Sequence, residues 1–205
     1  MPADTGSGRA RRAARQARAL WQLHHLPPRV ARFHWRARRE AKRLRDDFSL
    51  VSATRPRDLA ILLRLAGSRR RVVELGTGTA WTAISFALAD SRRQVVTFDP
   101  IARPEREAYL RLAGPRAASR IRLVDAPGER GPDVAEPVDM LYIDSSHDRE
   151  SVIAEYRAWR AQLAPGAVVA LDDYNHEDFP GIREAVAELQ LTGERLGTLF
   201  VHRVP

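Results

Sequence analysis

Short apolar runs alternate with longer amphipathic stretches over much of this 205-residue chain. The runs fall at 71–75, 94–98, 120–124, 138–143 and 167–171, with apolar side chains at successive rather than alternate positions. Runs apolar on both faces are the mark of strands buried in a parallel sheet. Helical stretches at 80–90, 104–113 and 148–163 lie between most of them, an alternation that predicts an α/β fold with a doubly wound sheet. After a helix near 181–190, strands at 193–197 and 199–204 are separated by almost nothing, which requires an antiparallel hairpin. The expected sheet is therefore seven-stranded and mostly parallel, with one hairpin at its end.

Upstream the period changes. Val30, Phe33, Ala37, Ala41, Leu44 and Phe48 recur at steps of three and four, one apolar stripe on an arginine-rich cylinder. Pro27 and Pro28 separate this helix from an Ala/Arg helical stretch at 9–25. A further helix at 56–66 begins at Pro56 and stops before Gly67. Residues 1–8 read as a disordered tail. The expected division is this tail, a basic α-helical N-terminal extension at 9–54, and an α/β domain at 55–205.

Composition sharpens the picture in two places. The chain has no cysteine, which excludes disulfides, thiolate metal sites, iron–sulfur clusters and a cysteine nucleophile. The net charge of +8 hides an asymmetry: residues 1–45 hold 13 of the 34 basic residues against two acids, Asp4 and Glu40. The remainder is slightly acidic. No apolar run reaches the ~20 residues that span a bilayer, and none follows the N-terminal arginines. The expectation is a cytoplasmic protein without a secretory signal.

The first strand runs into Glu74-Leu75-Gly76-Thr77-Gly78-Thr79-Ala80-Trp81. Two glycines one residue apart, between strand and helix, let the backbone approach a ligand closely. A dinucleotide site would want a third small residue where this chain has Trp81. Glu74 is expected to aim a carboxylate at the loop mouth, repelling a pyrophosphate but attracting an α-ammonium group. Asp99, at the end of the second strand, is placed to take both hydroxyls of a ribose. Asp125 and Ala126 end the third strand, where adenine contacts are found. Gly76, Thr77, Gly78 and these residues together describe a nucleoside that carries an amino acid, and S-adenosylmethionine is the candidate cofactor.

The segments 72–80 (VVELGTGTA), 96–100 (VTFDP), 124–126 (VDA), 139–147 (DMLYIDSSH) and 163–174 (LAPGAVVALDDY) resemble the class I S-adenosylmethionine-dependent methyltransferases. The Asp-x-x-His segment before a helix is similar to macrocin-type O-methyltransferases. The resemblance covers roughly residues 55–205 and implies the strand order 3-2-1-4-5-7-6 of the Rossmann-like methyltransferase fold. It also makes the fourth and fifth strands neighbours, so that Asp144, Asp172 and Asp173 meet at the mouth of the sheet. Catechol-type O-methyltransferases have acids at matching positions, which implies Mg²⁺ or a similar hard cation on these three residues. The alternative is that they are loop acids that cap helices or face solvent. His147, three residues past Asp144, is a candidate catalytic base beside it, as is His176. Each has an ordinary reading as a capping or surface histidine. Tyr174 and Trp81 are candidates to line the pocket.

The function expected on these grounds is methyl transfer from S-adenosylmethionine to a hydroxyl of a small molecule. Two other readings stay open: an RNA methyltransferase that uses the basic arm for phosphate attraction, and a non-catalytic scaffold that keeps the nucleoside pocket. The N-terminal helices are expected to form a lid or a homo-oligomer contact through Val30, Phe33, Leu44 and Phe48. Nucleic-acid binding and adsorption to an anionic membrane surface are the competing uses of the arm.

Overall fold

A computed structural model describes residues 21–132 and 136–205. The tail at 1–8 and most of the stretch at 9–25 lie outside the described residues. A short 3₁₀ turn at Gln22–His25 precedes the first helices, α1 (Pro28–Leu44), α2 (Asp47–Ser52) and α3 (Pro56–Ala66). The alternating part follows as β1 (Arg71–Leu75), α4 (Trp81–Ala89), β2 (Gln94–Phe98), α5 (Glu105–Ala113), α6 (Pro115–Ala118), β3 (Ile121–Val124), β4 (Val138–Ile143), α7 (Arg149–Trp159), β5 (Leu163–Leu171) and α8 (Pro180–Glu188). The hairpin β6 (Gly193–Leu196) and β7 (Leu199–Arg203) closes the described chain.

The seven strands form one sheet in the order β3-β2-β1-β4-β5-β7-β6, the order the resemblance implies. β1 to β5 pair in parallel, and β7 runs antiparallel to both β5 and β6. Val72, Val95, Met140, Tyr142, Val168, Leu199 and Val201 face one layer of helices, which includes α1, α3 and α4. Val73, Leu75, Phe98, Leu141, Ile143, Val169 and Phe200 face the other, built from α7 and α8. Alternation along each strand thus feeds two apolar interfaces, which is why the strands read as continuous apolar runs. Leu75 lies level with Phe98 and Ile143, and Ile143 with Leu171. Residues just past these ends therefore share one edge of the sheet: Gly76, Asp99, Asp144 and Asp172. Among the described residues no helix is long and apolar enough to cross a membrane.

The N-terminal stripe is shorter than its spacing predicts. Val30, Phe33, Ala37 and Ala41 are buried against the sheet-covering helices. Leu44 and Phe48 are instead exposed. The chain turns left-handed at Arg45 (φ 58°), which ends α1. Asp46 then starts α2 afresh by accepting from the Ser49 N–H at 2.9 Å. This break swings Phe48 off the stripe and toward the end of the sheet that carries the glycine loop. Asp46 also receives the hydroxyls of Ser49 at 2.5 Å and Tyr109 at 2.6 Å, which ties α2 to α5.

Candidate active site

The C-terminal edge of the parallel strands opens into a cavity of about 720 Å³. Its floor is the β1–α4 loop. Gly76 there has φ +101°, and a Cβ on it would lie 1.9 Å from the carbonyl oxygen of Asp144. Glycine is thus required by the passage of the neighbouring strand as well as by any ligand. Asp99 holds the loop: its Oδ2 accepts the Gly78 N–H at 2.8 Å and its Oδ1 accepts the Ile101 N–H at 2.8 Å. Arg106, 5% exposed, locks this arrangement. Its guanidinium pairs with Asp99 at 3.0 Å and donates to the carbonyls of Gly78 (2.8 Å) and Ile101 (2.7 Å). Thr79 pairs with Ser49 at 2.5 Å, so α2 is bonded directly to the same loop.

Three of the expected cofactor residues lie elsewhere than expected. Glu74 does not point at the loop mouth. It shares a sheet face with its register partners Thr97 and Tyr142, is 1% exposed, and accepts the Thr97 hydroxyl at 2.5 Å. Burial, reinforced by the charges of Asp144 and Asp99, pushes its carboxyl up to about 8. Asp125 is turned outward to meet Arg106 at 3.3 Å, and neither it nor Ala126 lines the cavity. That wall is supplied by Pro127, Gly128 and Glu129 together with Glu155 of α7. Thr77 lines the cavity and pairs with Thr97 at 2.7 Å.

The acids past β4 and β5 meet at the other end. Tyr142 Oη lies 3.0 Å from Asp144 Oδ2 and 2.8 Å from Asp172 Oδ2. One hydroxyl proton can satisfy only one of the two, so the second short contact calls for a proton on a carboxyl. Asp144 is the group placed to carry it: burial first, then the charge of Asp172, raises it to about 7. Asp172 Oδ1 accepts from the Thr198 hydroxyl at 2.9 Å and from the Asp173 N–H at 2.8 Å. His147 Nε2 sits 3.4 Å from Asp144 Oδ1 and 3.8 Å from Asp173 Oδ2. It is close enough for charge pairing, is off the hydrogen-bond direction, and has no other partner. Burial opposes charge on this imidazole, but Asp144, Asp173 and Asp172 outweigh burial and raise its pKa. Phe179 stacks on the ring at 4.6 Å between centroids, with His176 packed on Phe179 at 4.7 Å. His147 (φ 62°) and Asp173 (φ 49°) both hold left-handed backbone, a conformation that non-glycine residues adopt at a cost and that concentrates at functional sites.

The three carboxylates do not fit the cation expected on them. Among the described residues no group of three His, Asp or Glu side chains comes together as metal ligands. The Tyr142 hydroxyl stands between Asp144 and Asp172, and the His147 imidazole stands beside Asp144 and Asp173. Tyr174 also departs from expectation: it packs on Phe200 at 4.9 Å and does not line the cavity. His176 and Trp81 do line it, although Trp81 is 3% exposed and packs against Phe33, His34 and Tyr109.

Residues 73–174 match a family described as a methyltransferase domain, and this segment carries the glycine loop and both acid-bearing strand ends. Over these residues the chain carries a methyltransferase domain. Solved structures share the methyltransferase's fold at low identity. One is the O-methyltransferase TomG from Streptomyces achromogenes, involved in tomaymycin synthesis and crystallised with S-adenosylmethionine. It is 19% identical with a TM-score of 0.63, over 87% of this chain and 91% of that one. Another is an O-methyltransferase from Bacillus cereus in complex with S-adenosylhomocysteine: 18% identity, TM-score 0.63, 82% and 90% covered. A third is CalS11, a TDP-rhamnose 3′-O-methyltransferase of calicheamicin biosynthesis: 20% identity, TM-score 0.56, 71% and 77% covered. No curated protein matches the methyltransferase's sequence.

Sequence reasoning missed Arg106, Tyr142 and Thr198. Tyr142 carried a usable signal, since residues i and i+2 of a strand share a face and Asp144 follows two residues on. Arg106 carried none, because its role depends on which way α5 turns it.

Proposed function

We propose that this methyltransferase transfers the methyl group of S-adenosylmethionine to a hydroxyl of a small molecule. The observation that carries the reading is the placement of the Asp144–His147 pair in the same cavity as the Asp99-held glycine loop. In this reading Gly76, Thr77, Gly78 and Asp99 hold the nucleoside, with Asp99 accepting from the ribose on lone pairs its two N–H partners leave open. The acceptor oxygen attacks the sulfonium methyl carbon, the carbon–sulfur bond breaks, and its electron pair stays on sulfur. The acceptor's hydroxyl proton passes to the His147 imidazole. Asp173, with Asp144 once ionised, stabilises the imidazolium that forms, and the stack on Phe179 fixes the ring plane. Most of the acceleration then comes from alignment of oxygen, methyl carbon and sulfur. The expected divalent cation has no step in this reading, because the Tyr142 hydroxyl and the His147 ring occupy the carboxylates that would bind it.

Three of the neighbours are named as O-methyltransferases, which supports oxygen as the acceptor atom. The test is incubation with S-adenosylmethionine and a panel of phenols, catechols and sugar hydroxyls, with products located by fragmentation mass spectrometry. O-methyl products are expected. Methyl groups found only on nitrogen or carbon would sink the reading.

A further inference from the structure

The described residues expose six large hydrophobic side chains, and three of them, Phe48, Val51 and Ile101, gather on the lining of this one cavity. Phe48 and Val51 come from α2, which the Ser49–Thr79 bond fixes over the glycine loop. The cavity is also lined by seven carboxyl side chains, on Asp58, Asp99, Glu129, Asp144, Glu155, Asp172 and Asp173. Among the described residues a single arginine and no lysine stands on the lining against them: Arg55. It occupies the N-cap position of α3, makes no side-chain cap bond, and is exposed. No carboxylate lies within ion-pair distance of it among the described residues. It feels Asp58 and Asp173 only at longer range. An anion entering this cavity finds a guanidinium on its lining at Arg55, while the Arg103 guanidinium is stacked over the Phe48 ring at 3.5 Å.

We propose that Arg55 is the anion-binding group of the acceptor site. It pairs with a carboxylate carried by the acceptor, whose apolar body rests on Phe48, Val51 and Ile101. The inference builds on the small-molecule reading above and narrows its substrate to hydroxylated, apolar-bodied acids, aromatic hydroxy acids being the simplest. A planar guanidinium suits a carboxylate because it can offer two parallel N–H donors. Anchoring one end of the acceptor at α3 leaves its hydroxyl free to turn toward His147. The methyl donor carries a carboxylate of its own, so the cofactor is the competing source of the same chemistry.

Binding separates the two sources without any need for turnover. The probes are 3,4-dihydroxybenzoate and 3,4-dihydroxybenzamide, titrated by calorimetry into the full chain saturated with S-adenosylhomocysteine. S-adenosylhomocysteine and 5′-methylthioadenosine, which lacks the amino-acid tail, are titrated into the free protein. The expected result is that the benzoate binds at least tenfold tighter than the benzamide. Arg55→Gln should abolish that preference, Arg55→Lys should restore part of it, and the affinity for S-adenosylhomocysteine should stay within twofold. Equal binding of the two dihydroxy probes by the native protein, or no binding of either, overturns the proposal. So does a tenfold loss of S-adenosylhomocysteine affinity in Arg55→Gln with 5′-methylthioadenosine unaffected, which would assign Arg55 to the cofactor. Absence of methyl transfer alongside the expected binding pattern would count against the reaction and not against this assignment.

Discussion

The Arg106 guanidinium lies 3.0 Å from the Asp99 carboxylate, and both side chains are largely buried at the lip of the glycine loop. Asp99 is thereby both a candidate ribose acceptor and the post that holds Gly78 and Ile101 in place. Arg106→Gln should weaken S-adenosylhomocysteine binding about tenfold although Arg106 touches no ligand in this account. It should also lower stability by roughly 3 kcal/mol, the usual scale for breaking a buried ion pair. Calorimetry and thermal melts on the same sample check both. Native affinity in a destabilised variant would confine Arg106 to the fold.

Glu74→Gln tests the buried acid under the loop. A carboxyl raised from 4.5 to about 8 takes up protons on folding, so it favours the fold at low pH and opposes it as pH rises through that window. The amide cannot ionise. Glu74→Gln should match the native protein near pH 4 and exceed it increasingly as pH rises, by roughly 2–4 kcal/mol above pH 8 once the carboxyl is fully charged. Melting temperature against pH reads this directly, and parallel curves for the two proteins would contradict it.

His34 bears the opposite sign. It is fully buried, its Nε2 pairs with Ser85 Oγ at 2.9 Å, and Nδ1 has no partner. Burial, aided by Arg38, lowers it from 6.5 to about 3. Its neutral form is the folded one, so stability falls as pH drops from 6.5 toward 3. His34→Gln should flatten that part of the curve by roughly 1 kcal/mol per pH unit.

The same helix decides whether the arm is separable. Phe33 is 3% exposed and meets Trp81 edge-on at 6.3 Å, inside the core that also holds Leu59 and Ile84. Phe33→Ala should cost about 3–5 kcal/mol. Removing residues 1–47 should abolish the cooperative melt, because it uncovers this core and deletes the Asp46 cap of α2. A truncated chain that still melts cooperatively and binds S-adenosylhomocysteine would show that α1 is an accessory.

Chelation gives a sharp contrast. With the Tyr142 hydroxyl set between Asp144 and Asp172, turnover in excess EDTA should stay within twofold of the untreated enzyme. Loss of activity that added Mg²⁺ restores would return the three carboxylates to a metal.

Much of this was legible in the chain. The strand ends and the hairpin follow from apolar runs and from which residues come just after them, and the meeting of Asp144 with Asp172 and Asp173 follows from the strand order the resemblance implies. What escaped was set by orientation. Glu74 obeys the same two-residue alternation as Val72, which turns it under the loop and away from the mouth. Asp125 lies largely in solvent and meets Arg106, a partner 19 residues away in sequence that no spacing rule connects to it. Leu44 is the last residue of α1 and Phe48 already belongs to α2, because Arg45 takes a left-handed turn more usual for glycine or asparagine.

The account rests most heavily on His147 as the group that receives the acceptor's proton. The direct test is His147→Gln, read in two ways on one preparation: S-adenosylhomocysteine affinity by calorimetry, and single-turnover methyl transfer to the best hydroxyl acceptor at pH 8. The predicted result is affinity within twofold of native and a transfer rate lower by about 10²–10³-fold, the scale of a lost general base. Transfer at the native rate, with native affinity, would contradict the account.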